Sequence, residues 1–201
     1  MDPAQLADVI ARAQRRETGA FEALIEAYSH RLYGFLYRLT GHRDDADDLL
    51  QEVFVRVVRM IGKYEDDGRF EAWLFRIAMN LARDRVRRIR KSPIVLAAEP
   101  RSGGEEGRPA DPLDPADGDR LAPDEALELA DQVDRLQQAL GQLGDAEREV
   151  IMLRHFSAMS FNEIAEMMGT PLGTALARAH RGLKRLRRIM EGLTDGGDDE
   201  G

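Results

Sequence analysis

Apolar positions along most of this chain recur at intervals of three and four residues, the spacing that lines one face of an α-helix. Phe21, Leu24, Ile25, Tyr28, Leu32, Phe35, Leu36 and Leu39 form one such stripe, and Gly41 supplies a stop. Leu49, Leu50, Val53, Phe54, Val57, Val58 and Ile61 repeat the pattern in a second helix. That helix opens with Asp44, Asp45, Asp47 and Asp48, acids suited to the positive end of its dipole. After a polar loop over 63–69, a third helix starts at Phe70 or Glu71 and runs through Trp73, Leu74, Ile77, Ala78 and Leu81 into RDRVRRIRK. A weaker helix over 3–16 precedes all three. No stretch alternates with period two over a strand length, so the expected fold class is all-α.

The stripes stop at 93–123 (PIVLAAEPRSGGEEGRPADPLDPADGDRLAP), which is rich in Pro, Gly and Asp and poor in large apolar residues beyond Ile94 to Leu96. Such a composition buries too little surface to offset the entropy of ordering, which predicts a flexible linker. Helical spacing resumes near Asp124 (DEALELADQVDRLQQALGQL), breaks at Gly144 and continues in DAEREVIMLRHF. Four segments are therefore expected: a helical domain over 1–92, the linker over 93–123, a second helical domain over 124–193 and a disordered acidic tail over 194–201.

The last packed segment is the most specific. In SFNEIAEMMGTP, Phe161, Ile164, Ala165 and Met168 share one helix face, with Asn162, Glu163 and Glu166 on the other. Ser160 is placed to cap that helix and Glu163 to complete a capping box. Gly169 supplies the left-handed residue of a turn, and Pro171 stands where the next helix begins. That next helix, LGTALARAHRGLKRLRRIM, carries Arg178, His180, Arg181, Lys184, Arg185, Arg187 and Arg188 on a small-residue scaffold. Helix, tight turn and basic helix are the parts that enter a DNA major groove. The competing reading takes Lys184 to Arg188 as a solvated helix end favoured by the dipole; Gly173 and Thr174 at the entry, with His180 and Arg181 following, tip the balance toward DNA.

A formal charge of −8 looks wrong for a DNA-binding protein until it is divided along the chain. Residues 97–135 carry 12 acidic and 4 basic side chains, and 191–201 carry 5 acidic and none basic. Both packed segments are mildly basic, and local field rather than total charge attracts a polyanion. Zero cysteines exclude disulfides, thiolate metal sites and cysteine nucleophiles, while His30, His42, His155 and His180 lack ligand spacing. With no phosphate loop, nucleophile elbow or calcium-loop pattern either, neither enzyme activity, nor a metal, nor a cofactor is expected. The chain has neither an apolar run long enough to span a membrane nor a signal-peptide pattern, and a cytoplasmic location is expected.

A second basic cluster closes the third helix: Arg83, Arg85, Arg87, Arg88, Arg90 and Lys91. Spread around the circumference, they suggest a phosphate track, against the alternative of cations serving a helix C-terminus. Tyr64, Phe70, Trp73 and Phe75 lie just upstream, and aromatic groups beside cations make a platform for unstacked bases. Trp73 and Phe75 suit a core equally well.

Together these residues resemble the extracytoplasmic-function sigma factors, promoter-specificity subunits of bacterial RNA polymerase. The run from Asp44 to Val57 is similar to the family's region 2.2 through Asp45, Ala46, Asp47, Asp48, Leu49, Gln51, Glu52 and Phe54. The run from Phe70 to Arg88 is similar to regions 2.3 and 2.4 through Trp73, Leu74, Arg76, Ile77, Ala78, Asn80, Asp84 and Arg87. In region 4, REVIMLRHF and the span from Ser160 to Thr174 also match. The resemblance implies that Asp45, Asp48, Leu49, Gln51, Glu52 and Phe54 bind core RNA polymerase. It implies that Tyr64, Arg69, Phe70, Trp73, Arg76, Asn80, Arg83 and Arg87 meet the opened minus-ten element. It gives the minus-thirty-five duplex to Thr174, Leu176, Ala177, Arg178, His180, Arg181, Lys184 and Arg185, and it implies an anti-sigma factor as a further partner.

Two departures stand out. Leu176 and Ala177 occupy positions where the family commonly has lysine and serine, removing two polar contacts each worth about 1 kcal/mol. The upstream element is then read more weakly, through thymine methyls, or by shape. Gly144 stands where a proline is usual, which should loosen that helix start. A stand-alone helix-turn-helix regulator and a degenerate module that binds protein without reading DNA remain the alternatives; the first leaves the 2.2-like motif unexplained, and the second draws on Leu176 and Ala177.

Overall fold

Eight α-helices account for the regular structure in the computed structural model, which describes residues 1–91, 123–157 and 159–195. In chain order they are α1 (Pro3–Gln14), α2 (Thr18–Thr40), α3 (Arg43–Met60), α4 (Phe70–Lys91), α5 (Pro123–Gly141), α6 (Asp145–Phe156), α7 (Phe161–Met167) and α8 (Leu172–Asp195), with one 3-10 turn at Ile61–Lys63. No strand occurs among the described residues. The chain divides into two compact units whose boundary falls within 92–122, and each unit is described by itself. The expected linker and tail lie outside the described residues except at their ends: α5 begins at Pro123, and α8 runs on through Thr194 and Asp195.

In the first unit α2 packs against α1, α3 and α4. Its stripe of Leu24, Tyr28, Leu32, Phe35, Leu36 and Leu39 is buried, and Phe35 meets Phe75 of α4 edge to face at 5.1 Å. Gly41 closes the helix in the left-handed region (φ 78°), where a side chain would be strained. α1 begins with a capping box between Asp2 and Gln5 and acts as a strap. Its Gln14 amide donates to the carbonyls of Tyr64 (2.7 Å) and Ile61 (3.3 Å), and Arg16 donates to the Val58 carbonyl at 2.6 Å. The end of α3 and the loop after it are thereby tied to α1 and the turn that follows it.

The α3 stripe differs from expectation. Leu49, Val53, Val57 and Ile61 are buried, whereas Leu50 and Phe54 are half-buried and Val58 is exposed. Ile25, also expected in the core, is 44% exposed. Two adjacent apolar residues on a helix point about 100° apart, and α2 and α4, which both pack on α3, cover only one of each pair. The left-over members, Leu50, Phe54, Val55 and Val58, line an open apolar groove with Ile25 and Ser29 of α2.

In the second unit α8 packs against α5, α6 and α7. Gly144 serves as N-cap of α6 without a side-chain bond, and Arg148 donates to the Gly141 and Leu143 carbonyls (3.3 and 3.4 Å), bracing the α5–α6 turn. The capping box at α7 is complete: the Ser160 hydroxyl accepts from the Glu163 amide, and the Ser160 amide donates to the Glu163 carboxylate at 2.7 Å. Gly169 is left-handed (φ 60°), and Pro171, one residue ahead of α8, accepts the amides of Thr174 and Ala175.

Candidate nucleic-acid interface

α8 is held from one side by small residues. Ala175, Ala179 and Gly182, at helical spacing, are buried toward the unit. A Cβ on Gly182 would stand 2.8 Å from Ile151 Cδ1 and 3.1 Å from Glu147 Cβ, so α6 and α8 approach closely there. Away from that seam lie Gly173, Leu176, His180, Lys184 and Arg187, all exposed, with Ala177 half-buried among them, and Leu172, also exposed, stands beside the seam at the start of the helix. Thr174 and Arg178 are half-buried, and Arg185 and Arg188 are exposed. Arg181 is exposed too, with its Nε 3.6 Å from the Glu147 carboxylate of α6. Lys184, Arg185, Arg187 and Arg188 form no ion pair among the described residues, so their charge is available to a polyanion. Turn and basic helix thus form a helix-turn-helix with its second helix presented outward.

On α4, Trp73, Arg76, Asn80, Arg83 and Arg87 follow one another at intervals of three and four, and Arg69 precedes them at the same spacing. They form one lengthwise stripe, exposed at Arg76, Asn80 and Arg87 and half-buried at Trp73 and Arg83. At its N-terminal end the Tyr64 ring lies 4.8 Å from Trp73 and 5.6 Å from Phe70, and Phe70 in turn touches Tyr28 at 5.7 Å. Phe70 is only 1% exposed and underpins this cluster rather than offering a face. Phe75 is wholly core. Burial holds the Tyr64 hydroxyl protonated, its pKa raised to about 12, with the nearby Asp66 and Asp67 charges adding to the shift. Asp66 accepts from the Gly68 amide and Asp67 from the Arg69 amide, giving the loop its shape.

The basic run is less free than its charge count suggests. Arg85 donates through Nε to Asp45 Oδ1 at 2.9 Å and through Nη2 to the same oxygen, with Asp48 Oδ2 at 3.9 Å. Arg87 pairs with Asp84 at 2.9 Å, and Arg88 donates to the Asp84 carbonyl. Arg85 is therefore a brace between α4 and α3, not part of an open phosphate track.

The acids of α3 divide in the same way. Asp45 and Leu49 are buried, Asp45 occupied by Arg85. Asp48 and Gln51 are exposed, and Glu52 and Phe54 are half-buried. The Asp47 carboxyl is pushed up from its ordinary value, by partial burial first and then by repulsion from Asp44 and Asp48. The His42 N-cap makes no side-chain bond, so the acids act on the helix end by charge alone. Sequence reasoning counted Leu50, Val58 and Ile25 as core and missed that they continue this outward face as an apolar groove; consecutive apolar pairs on α3 were the available signal. No cluster with metal-ligand geometry occurs among the described residues.

These surfaces define a class: a two-unit, all-helical protein carrying a helix-turn-helix of the DNA-binding kind. Residues 24–92 match the family model of Sigma-70 region 2, and residues 134–186 match that of Sigma-70, region 4. The chain is 33% identical to the ECF RNA polymerase sigma factor SigW of Bacillus subtilis, over 92% of this chain and 96% of SigW. It is 36% identical to the RNA polymerase sigma factor CarQ of Myxococcus xanthus, over 85% of this chain and 89% of CarQ. Among solved structures it is similar to the sigma factor RpoE of Bartonella quintana in its co-crystal with the anti-sigma factor NepR, at TM-score 0.59 and 23% identity, with 85% of this chain and 96% of that chain covered; this bears on the fold alone. The chain belongs to the ECF sigma factors of the sigma-70 family, which make RNA polymerase initiate transcription at chosen promoters.

Proposed function

We propose that three surfaces of this chain divide the work of a sigma factor. The outward face of α3, with Asp48, Gln51, Glu52 and Phe54, docks on core RNA polymerase, while Asp45 and Leu49 hold that face in place from behind. The α4 stripe of Trp73, Arg76, Asn80, Arg83 and Arg87, with Tyr64 and Arg69 at its head, takes the opened minus-ten strand. Stacking on the Tyr64 and Trp73 rings offsets the few kcal/mol that unstacking a base costs. α8 enters the minus-thirty-five major groove, with Thr174, Leu176, Ala177, Arg178, His180 and Arg181 toward base edges and Lys184 and Arg185 on phosphates. An anti-sigma factor is a fitting antagonist, since any protein covering the α3 face would compete with polymerase. The chain acts where RNA polymerase is, in the cytoplasm, as a binding subunit and not as an enzyme.

The observation that carries this reading is the outward presentation of a basic second helix on a complete helix-turn-helix, in a chain whose other unit offers an aromatic and cationic stripe. Promoter selection from random DNA, with and without core polymerase and followed by transcription of what is recovered, tests it. Specific transcripts are expected only when both are present. Equal selection without polymerase would make the chain an autonomous regulator, and polymerase binding without any enriched sequence would make it an interaction module.

A further inference from the structure

In the first two turns of α8 the exposed side chains are apolar, while Thr174 and Arg178 are half-buried. Leu172 and Leu176 are 41% and 43% exposed, Gly173 has no side chain, and Ala177 offers a methyl. His180, Lys184 and Arg187 follow at helical spacing, and Leu183, 55% exposed, continues the leucine side one turn further on. The cations Arg181, Lys184, Arg185 and Arg188 follow the apolar patch along the same helix, and four of the basic residues lack an ion pair among the described residues. A leucine patch set in a cationic helix suits a polyanion with apolar groups between its phosphates. DNA supplies such groups in the major groove as thymine C5-methyls and nowhere else among the four bases.

We infer that Leu176, assisted by Leu172 and Ala177, is a specificity-determining residue that selects thymine by its 5-methyl group in the upstream promoter element. This rests on the assignment of α8 to duplex DNA and deepens it by naming the feature read. The N-terminal residues of a recognition helix face base edges, while cations further along reach the backbone. A leucine there gains by covering a methyl. Set against the acceptors of guanine or the amino group of cytosine, it strips water from polar edges and returns no hydrogen bond, which disfavours those bases. Attraction to thymine and rejection of G·C pairs then act together, and phosphate contacts provide the sequence-independent part of binding.

The test replaces thymine by deoxyuridine, which deletes the methyl and leaves every hydrogen-bonding group in place. Holoenzyme reconstituted from the full chain and core polymerase first selects its promoter, and each thymine of the upstream element is then replaced singly. Wild type is expected to lose about fourfold in binding at one or two thymines, the worth of one buried methyl group. Leu176→Ala, an exposed substitution in a good helix former, is expected to bind both versions alike at one of those positions, and Leu176→Lys to move the preference there toward guanine. Uracil tolerated at every position, an upstream element without thymine, or a methyl dependence unchanged in Leu176→Ala would each overturn the inference. So would a silent uracil series in which Leu176→Ala weakens association with polymerase, since the leucines would then be a protein contact. Methyl-dependent binding that needs no polymerase would keep this inference and remove the proposed sigma role, so the two can fail separately.

Discussion

Replacing Arg85 by alanine should destabilise the first unit out of proportion to the contacts removed. The Asp45 side chain is 12% exposed, and its carboxylate takes both Nε and Nη2 of Arg85. Without the guanidinium, a charge stays at a nearly dry site with no opposite partner. Breaking a fully buried pair costs about 3–5 kcal/mol. Arg85 is itself 35% exposed, so water can follow into the space it vacates and relieve part of that penalty. An expectation of about 2 kcal/mol results, in the range of a charge-assisted hydrogen bond. Asp45→Ala should cost less, about 1 kcal/mol, because the freed Arg85 reaches solvent and Asp48. The double variant Asp45→Ala/Arg85→Ala should be more stable than Arg85→Ala alone, since it removes the stranded charge. Urea unfolding followed by fluorescence suits the experiment: Trp73 is the chain's one tryptophan and reports the first unit without interference from the second. A loss below about 0.5 kcal/mol for Arg85→Ala, or a double variant less stable than the single, would refute the argument from a stranded charge.

Three further outcomes are expected. Ser160→Ala removes one half of the α7 capping box and should cost about 1 kcal/mol of second-unit stability, read as faster amide exchange in α7 and α8, with duplex affinity falling in parallel; unchanged exchange would deny the cap its role. Gly182→Ala gains helix propensity of about 1 kcal/mol but forces a Cβ against Ile151 and Glu147, an overpacking cost of about 1–3 kcal/mol, so a net loss of exchange protection in α6 and α8 is expected and a gain would show that α6 yields freely. Burial raises the Tyr28 and Tyr64 hydroxyls to about 12, against about 10 in the unfolded chain. Both favour folding while protonated, so their contribution is intact below about pH 10 and is lost as pH rises toward 12. Tyr28→Phe/Tyr64→Phe should therefore flatten the alkaline limb of Trp73-monitored stability, and an unchanged limb would count against their burial.

The order of the helices and several of their ends were legible in the chain, because each has a local cause. The Ser160 and Glu163 pair, Gly41 and Gly169 act within one turn of themselves, and the structure places them as their chemistry demands. What was not legible depends on a second element. Leu49 and Leu50 are equally apolar, as are Val57 and Val58, and only the helices packed on α3, α2 and α4, decide which of each pair is covered. Phe70 and Trp73 present the same ambiguity on α4, resolved when Tyr28 and Tyr64 close over Phe70. Charge counting failed for a related reason. Arg85 and Asp45 lie 40 residues apart, so the Arg85 guanidinium counted as part of a phosphate track from sequence alone; Arg31 and Glu71, equally distant, pair at 2.9 Å. The small-residue scaffold and the cations of α8 were readable as composition, but which side is turned inward depends on α6 and α7 packed against it.

The inner seam of α8 has an evolutionary consequence. Ala175, Ala179 and Gly182 fix how closely the helix lies against α6, and almost any larger side chain there meets a neighbour. Positions 172, 173, 176 and 180 are exposed. Mutations that alter promoter choice therefore accumulate on one side of a helix whose other side cannot drift. Duplicated copies of such a gene can diverge in the sites they recognise while keeping one fold, with no stabilising change needed first.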